Sequence, residues 1–266
     1  FIRAFFAKAY FRIDSINNLI NRLRSDNSLR RICGFTSIPS AATFSRRLEL
    51  LASQQYMEQN LNSIIRENIG DCIIGHISRD STAISAREKP QNKKKDVKLT
   101  KTTKRKRGRP KKGEKRPSPE KKRLEKQISQ KPGKALKSIN KSCAWGCKKN
   151  SHGNVQFWKG YKLHLDVTDF GLPVTALVTG ANVHDSQLAI PMEKMTEKKI
   201  THLYSLMDSA YDAVEIHNYI AASGRIAIID PNKRRNKSRE PLNPAQIQRF
   251  KIRSTVEPSN AHLKDW

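Results

Sequence analysis

The stretch GYKLHLDVTDFGLPVTALVTGA, residues 160–181, decides how this chain is read. Tyr161, Leu163, Leu165 and Val167 alternate with other residues, the period-2 pattern of a half-buried strand. Asp169-Phe170-Gly171 is a turn and LPVTALVTGA is a second strand, so the two form a hairpin. Downstream, Asp185 to Met195 is helical. HLYSLMDSAYD, 202–212, opens with a strand that ends at Asp208. AVEIHNYIAAS is a helix closed by Gly224, and RIAIID is a short strand stopped by Pro231. Asn243 to Lys264 is a final long helical pattern. Upstream, DCIIGHISRDSTAI, 71–84, is a short apolar run ending on a polar cluster, again strand-like. The order strand, hairpin, helix, strand, helix, strand, helix predicts a mixed α/β layer fold around a central sheet.

Before that core, residues 1–70 read as an all-helical region. Ile13, Ile16, Ile20 and Leu23 fall at helical spacing. A second helix starts near Ser40, with Phe44, Leu48 and Leu51 on one stripe. Arg46 and Arg47 lie on its other side, as in a DNA-recognition helix or an ordinary solvated one. Between Pro90 and Asn140 stand 21 Lys and Arg against 4 Asp and Glu, a net charge of +17. Such a segment buries too little apolar surface to offset its ordering entropy, so 90–140 is expected to be a disordered or extended insert.

The whole chain of 266 residues carries a formal charge of +28. That charge points to a polyanionic partner, nucleic acid before a membrane surface. No segment approaches the ~18 to 20 apolar residues that span a bilayer. The four cysteines show no CxxC spacing and read as reduced thiols. With no initiator Met and an end at HLKDW in mid-pattern, the sequence reads as a fragment of a longer protein.

In so basic a chain the acids at strand ends stand out: Asp80 after the first strand, Asp208 after a later one. On a helical wheel of about 100° per residue, Phe250, Arg253, Glu257 and Lys264 share a sector of about 60°. Ile252, Val256 and Leu263 form a separate apolar stripe. The pattern Phe250-x2-Arg253-x3-Glu257-x6-Lys264 resembles the Y-x2-R-x3-E-x6-K pattern of bacterial insertion-sequence transposases of the DDE class. RDSTAI (79–84), ANVHDSQ (181–187) and LMDSAYD (206–212) resemble that family's first-Asp strand, inter-strand segment and second-Asp motif.

The resemblance implies an RNase H-like domain over 71–266, truncated at its C-terminus and interrupted by the insert, behind a DNA-end-binding region over 1–70. It implies Asp80, Asp208 and Glu257 as catalytic and metal-binding acids. Three converging carboxylates repel unless cations sit among them, and two Mg²⁺ or Mn²⁺ ions would meet that need. Arg253 and Lys264 would hold phosphates. Asp185 and Asp212 read as supporting rather than ligating acids. The implied partner is double-stranded DNA, bound as a homodimer, in a bacterial cytoplasm close to the nucleoid. Two departures stand out. Phe250 replaces the Tyr, and Pro258, directly after Glu257, is expected to kink the helix.

The insert contains KRKRGRPKKGE, 104–114. Arg107-Gly108-Arg109-Pro110 has the form of an AT-hook, whose arginines enter a narrow A·T-rich minor groove. The hook adds affinity but offers no group that cuts or joins DNA. A DDE transposase and a non-catalytic DNA-binding protein, either a hook protein or a decayed transposase, remain the two readings.

Overall fold

The computed structural model describes residues 1–53, 56–90, 122–149, 153–232 and 240–265. Five helices open the chain: α1 (Ile2–Tyr10), α2 (Ile16–Ser25), α3 (Asn27–Ile32), α4 (Ala41–Ser53) and α5 (Tyr56–Asn68). Short polar side chains start α2, α3 and α4. Ser15 accepts the Asn18 N–H, Asp26 that of Leu29, and Ser40 that of Thr43. Leu19, Leu23 and Phe44 are buried among Ala4 and Ala7, with Phe1, Phe5 and Phe35 packed round Phe44. Arg46 and Arg47 are exposed, and the Arg47 guanidinium lies 5.7 Å over the Phe1 ring.

The sheet follows. Its strands are β1 (Ile73–Ser85), β2 (Ala144–Lys149), β3 (Val155–Thr168), β4 (Pro173–Gly180), β5 (Thr201–Met207) and β6 (Ile226–Ile229). The order is β2-β3-β1-β5-β6, and β4 also pairs with β3. The fourteen-residue β3 takes β2 along its first half and β4 along its second, on the same edge. Its other edge runs antiparallel to β1, which in turn is parallel to β5, as β5 is to β6. Gly160 marks the switch from β2 to β4, opposite the end of β1. Its φ is +152°, and any side chain there would strike the backbone carbonyl of Ile84.

Helices cover both faces. α6 (Arg123–Ser129) and α7 (Pro132–Lys137) pack against α8 (Ser186–Thr196), beside α9 (Val214–Ala222). On the other face lie α10 (Pro244–Phe250), a 3₁₀ segment Lys251–Thr255, and α11 (Val256–Asp265), whose Val256 is fully buried against Leu165 and Val167. This mixed sheet, flanked by helices and preceded by a helical region, is the architecture expected of the RNase H-like reading.

Several local expectations change. Asp80, expected after the first strand, lies within β1, because residues 81–85 go on pairing with β3. Residues 123–137, counted with the disordered insert, form α6 and α7, because Gln127 and Ala135 find burial against the rest of the domain. The strand β2 has no counterpart in the expected order, and β3 begins at Val155 rather than Gly160. Leu165 to Thr168 are buried on both faces, not one. The final helix is three pieces rather than one. Pro258 lies in the first turn of α11, where a missing N–H breaks no helical bond, so the chain restarts its helix instead of kinking it.

One buried charge ties the layers together. Arg79, 1% exposed on β1, donates from Nε and Nη2 to both carboxylate oxygens of Asp166 on β3, at 2.6 and 2.7 Å. It also donates to Glu193 on α8 at 2.9 Å and to the Ala189 carbonyl at 2.8 Å. Glu193 in turn accepts from Ser205 and Arg225. Replacing Arg79 leaves the buried Asp166 carboxylate without its cation and takes one of two arginines from Glu193. Arg79→Met should therefore lower unfolding stability by about 3–5 kcal/mol in a denaturant titration.

Candidate active site

The parallel register of β1 and β5 pairs Ser78 with Leu206 and Arg79 with Met207. The next step along both chains brings Asp80 alongside Asp208, the first residue after β5. Alternation along β1 sends Arg79 to the α8 face and Asp80 to the face of α11. Ser78, on the same side as Asp80, donates to the Ile252 carbonyl of the 3₁₀ segment at 3.3 Å.

Each acid has a local anchor. Asp208 accepts the Ala210 N–H at 3.0 Å and caps the short 3₁₀ turn Ser209–Tyr211. Asp80 accepts from Asn260 Nδ2 of α11 at 3.1 Å. Burial pushes the Asp80 carboxyl above its ordinary value, and the charge of Asp208 adds to the rise, against the Ser81 backbone N–H. Asp208 is raised too, first by burial and then by the charges of Asp185 and Asp230. The Arg253 charge opposes both shifts. Two neighbouring carboxylates that resist ionisation, with one arginine facing them, invite a cation. The donors are all oxygen, which suits a hard ion such as Mg²⁺.

Glu257 does not join them. Its side chain is 61% exposed, and Arg253 Nη2 lies 3.4 Å from its Oε1. Among the described residues, no three His, Cys, Asp or Glu side chains are grouped to hold one ion. The reason is helical phase. A 3₁₀ segment turns about 120° per residue against 100° in an α-helix, so five such residues rotate the succeeding helix by about 100°. That rotation carries Glu257 off the expected face. It brings Asn260 to within about 40° of where an unbroken helix would have put the glutamate.

The remaining sequence candidates fall in several places. Arg253 packs over the Phe250 ring at 5.6 Å, a contact that does not need the missing hydroxyl. Lys264 is on α11, but its side chain lies outside the described residues, as does the hook Arg107-Gly108-Arg109-Pro110. Asp185 pairs with Lys162 at 3.0 Å. Asp212, 2% exposed, accepts the Asn232 N–H at 2.8 Å and so fastens the end of β6 to the turn after Asp208. Sequence reading misses Asn260 altogether, and only its spacing of three from Glu257 hints at a neighbouring face.

The family model described as Transposase DDE domain matches residues 72–266. Comparison with curated proteins finds no match, and neither does comparison with solved structures.

The raised carboxyls have a measurable consequence. The folded chain holds their protons more tightly than the unfolded chain does. Their ionisation therefore costs stability as pH rises from the ordinary Asp value of 3.8 through the raised ones. Asn at 208 keeps the cap and removes the charge. Asp208→Asn should melt a few degrees above the wild type at pH 7. The difference should close below pH 3.8, as followed by circular dichroism.

Proposed function

This chain belongs to the transposase DDE domain family, and on that premise we propose that it cuts and joins DNA at insertion-sequence ends. The observation that carries the reading is Asp80, inside β1, lying alongside Asp208 just past the end of β5, under the charge of Arg253. Both acids fall within the matched stretch. Glu257, on the outer face of α11, is the third acid of the proposal.

The reaction is phosphoryl transfer. A water oxygen attacks phosphorus in line, loses its proton, and the bond to the 3′ oxygen breaks. The freed 3′-hydroxyl then attacks a target phosphorus in the same way. Asp80 and Asp208 would hold Mg²⁺ or Mn²⁺, two ions in all with Glu257. When bound, these ions supply Lewis-acid activation of the attacking oxygen and stabilise the leaving one. Arg253, half-buried beside the acids, would take a non-bridging phosphate oxygen. Lys264 would take a second phosphate farther along the strand. The cationic insert supplies affinity. The lysines of 104–114 would contact phosphates, and Arg107 and Arg109 would enter an A·T-rich minor groove, with a homodimer as the working unit on DNA. No described helix is long and apolar enough to cross a membrane.

A second reading is an inactive transposase remnant that only binds DNA. The outward-facing Glu257 favours it; Pro258, seated in a first turn, no longer does.

Nicking of supercoiled plasmid separates the two. Mg²⁺ or Mn²⁺ should support nicking where Ca²⁺ does not, and Asp208→Asn should abolish it while the salt-sensitive DNA binding supplied by the cationic insert persists. Binding without nicking under any of these metals would leave the remnant reading. Deleting 104–114 should flatten the dependence of log affinity on log salt, by about 0.9 for each phosphate no longer neutralised. An unchanged slope would remove the hook from the DNA interface.

A further inference from the structure

We propose that Asn260 supplies a third oxygen donor to a divalent-cation site that Asp80 and Asp208 begin, an inference that rests on reading those two acids as cation ligands. Asn260 is 7% exposed, and its Nδ2 donates to Asp80 Oδ2 at 3.1 Å. Its amide oxygen is buried with no hydrogen-bond partner. Buried polar atoms are nearly always satisfied, so the orphan amide oxygen of a side chain that touches Asp80 is an unused electron-pair donor next to that acid.

Distance supports this. Ligand oxygens at about 2.1 Å on the corners of an octahedron stand about 3.0 Å from their neighbours. The separation between the Asn260 amide and the Asp80 carboxylate is 3.1 Å. The amide can present either end at nearly the same position. With no cation, two acceptors at that distance repel, and the NH₂ faces Asp80. With a cation between them, the oxygen faces in and gains its missing partner.

Placement supports it as well. Val256 is fully buried one turn before Asn260, and the Ser259 hydroxyl donates to the Gly171 carbonyl at 3.3 Å. The start of α11 is therefore pinned to the sheet, and Asn260 is held where it stands. Charge points the same way. Two carboxylates already balance a doubly charged ion, so a neutral amide oxygen suffices as the third donor. Glu257, one turn back on the exposed side, is then left for the second ion.

The test is Mn²⁺ binding by the full chain without DNA, followed by the electron paramagnetic resonance signal of free Mn²⁺. Wild type should bind saturably. Asp80→Asn, Asp208→Asn and Asn260→Ala should each weaken binding about tenfold or more. Asn260→Asp, which keeps an oxygen and adds charge, should bind at least as tightly as wild type. Wild-type affinity in Asn260→Ala, with loss in the two aspartate variants, would overturn the role of Asn260 and leave the acid pair standing. Unchanged binding in the aspartate variants would overturn the acid pair and the inference together. If Asn260→Ala fails to fold by circular dichroism, Asn260→Asp decides alone: weaker binding there overturns the inference.

Discussion

The face that carries Asp80 depends on a charge buried on the opposite side of the same strand. Arg79 sits inside the domain with essentially no contact with water, and it is tolerated only because Asp166 and Glu193 meet it. Burial opposes its charge, and Asp166 and Glu193 together more than offset that, so the guanidinium is held firmly protonated. Burial likewise works against Glu193, and His202 and Arg79 reverse it, holding the acid well below the ordinary range. Such an ensemble adds little net stability compared with an apolar core, but it is intolerant of error. A slip of β1 by one residue would turn Arg79 to the α11 face and bury Asp80 against Asp166. The buried arginine thus sets the register that places Asp80 beside Asp208.

The helical end of the chain follows a different rule. In a helix interior Pro258 would cost a backbone hydrogen bond, and here it follows a 3₁₀ segment and a fresh helix start. The proline then occupies a position where its missing N–H is immaterial. The rotation this introduces selects which residue of α11 meets Asp80. A residue outside the site therefore decides the membership of the site. Phe250 keeps its part in the arrangement through its ring face, against which Arg253 rests.

Much of this is legible in the sequence, and the failures share causes. The hairpin, the strand end at Asp208, and the helices α4, α8 and α9 follow from period and punctuation, because each buries a regular face, whereas Asp80 lies inside β1 because the polar residues after it still pair with β3. The helices α6 and α7 are hidden by composition averaged across a cationic stretch, although Leu124, Ala135 and Leu136 give them enough apolar surface to pack on neighbours distant in sequence. The strand β2 is short and interrupted by Gly146, which lies against the Trp158 ring, a contact no local pattern encodes. Arg79, Asp166 and Glu193 are unreadable for a different reason. Pattern reading sends charges to solvent, and only the fold reveals three that answer one another. Asn260 escapes because the wheel assumes 3.6 residues per turn through a segment that has three.

The distribution of charge then makes cation and DNA binding mutually dependent on the proposed reading. The net charge of +28 draws a polyanion to the chain from all sides, yet Asp80 and Asp208 make the cutting position locally acidic. A phosphate brought there alone would meet two like charges in a partly buried setting, where repulsion is poorly screened. A cation between the acids reverses that local sign, and the arriving phosphate in turn completes the coordination of the cation. Each ligand therefore raises the affinity for the other by the same factor. Arg253, which faces both acids and reaches Glu257, is placed to make the balance between them and the phosphate. The chain's excess of lysine can thus gather DNA without directing it to the acids, and correct placement waits on the filled site.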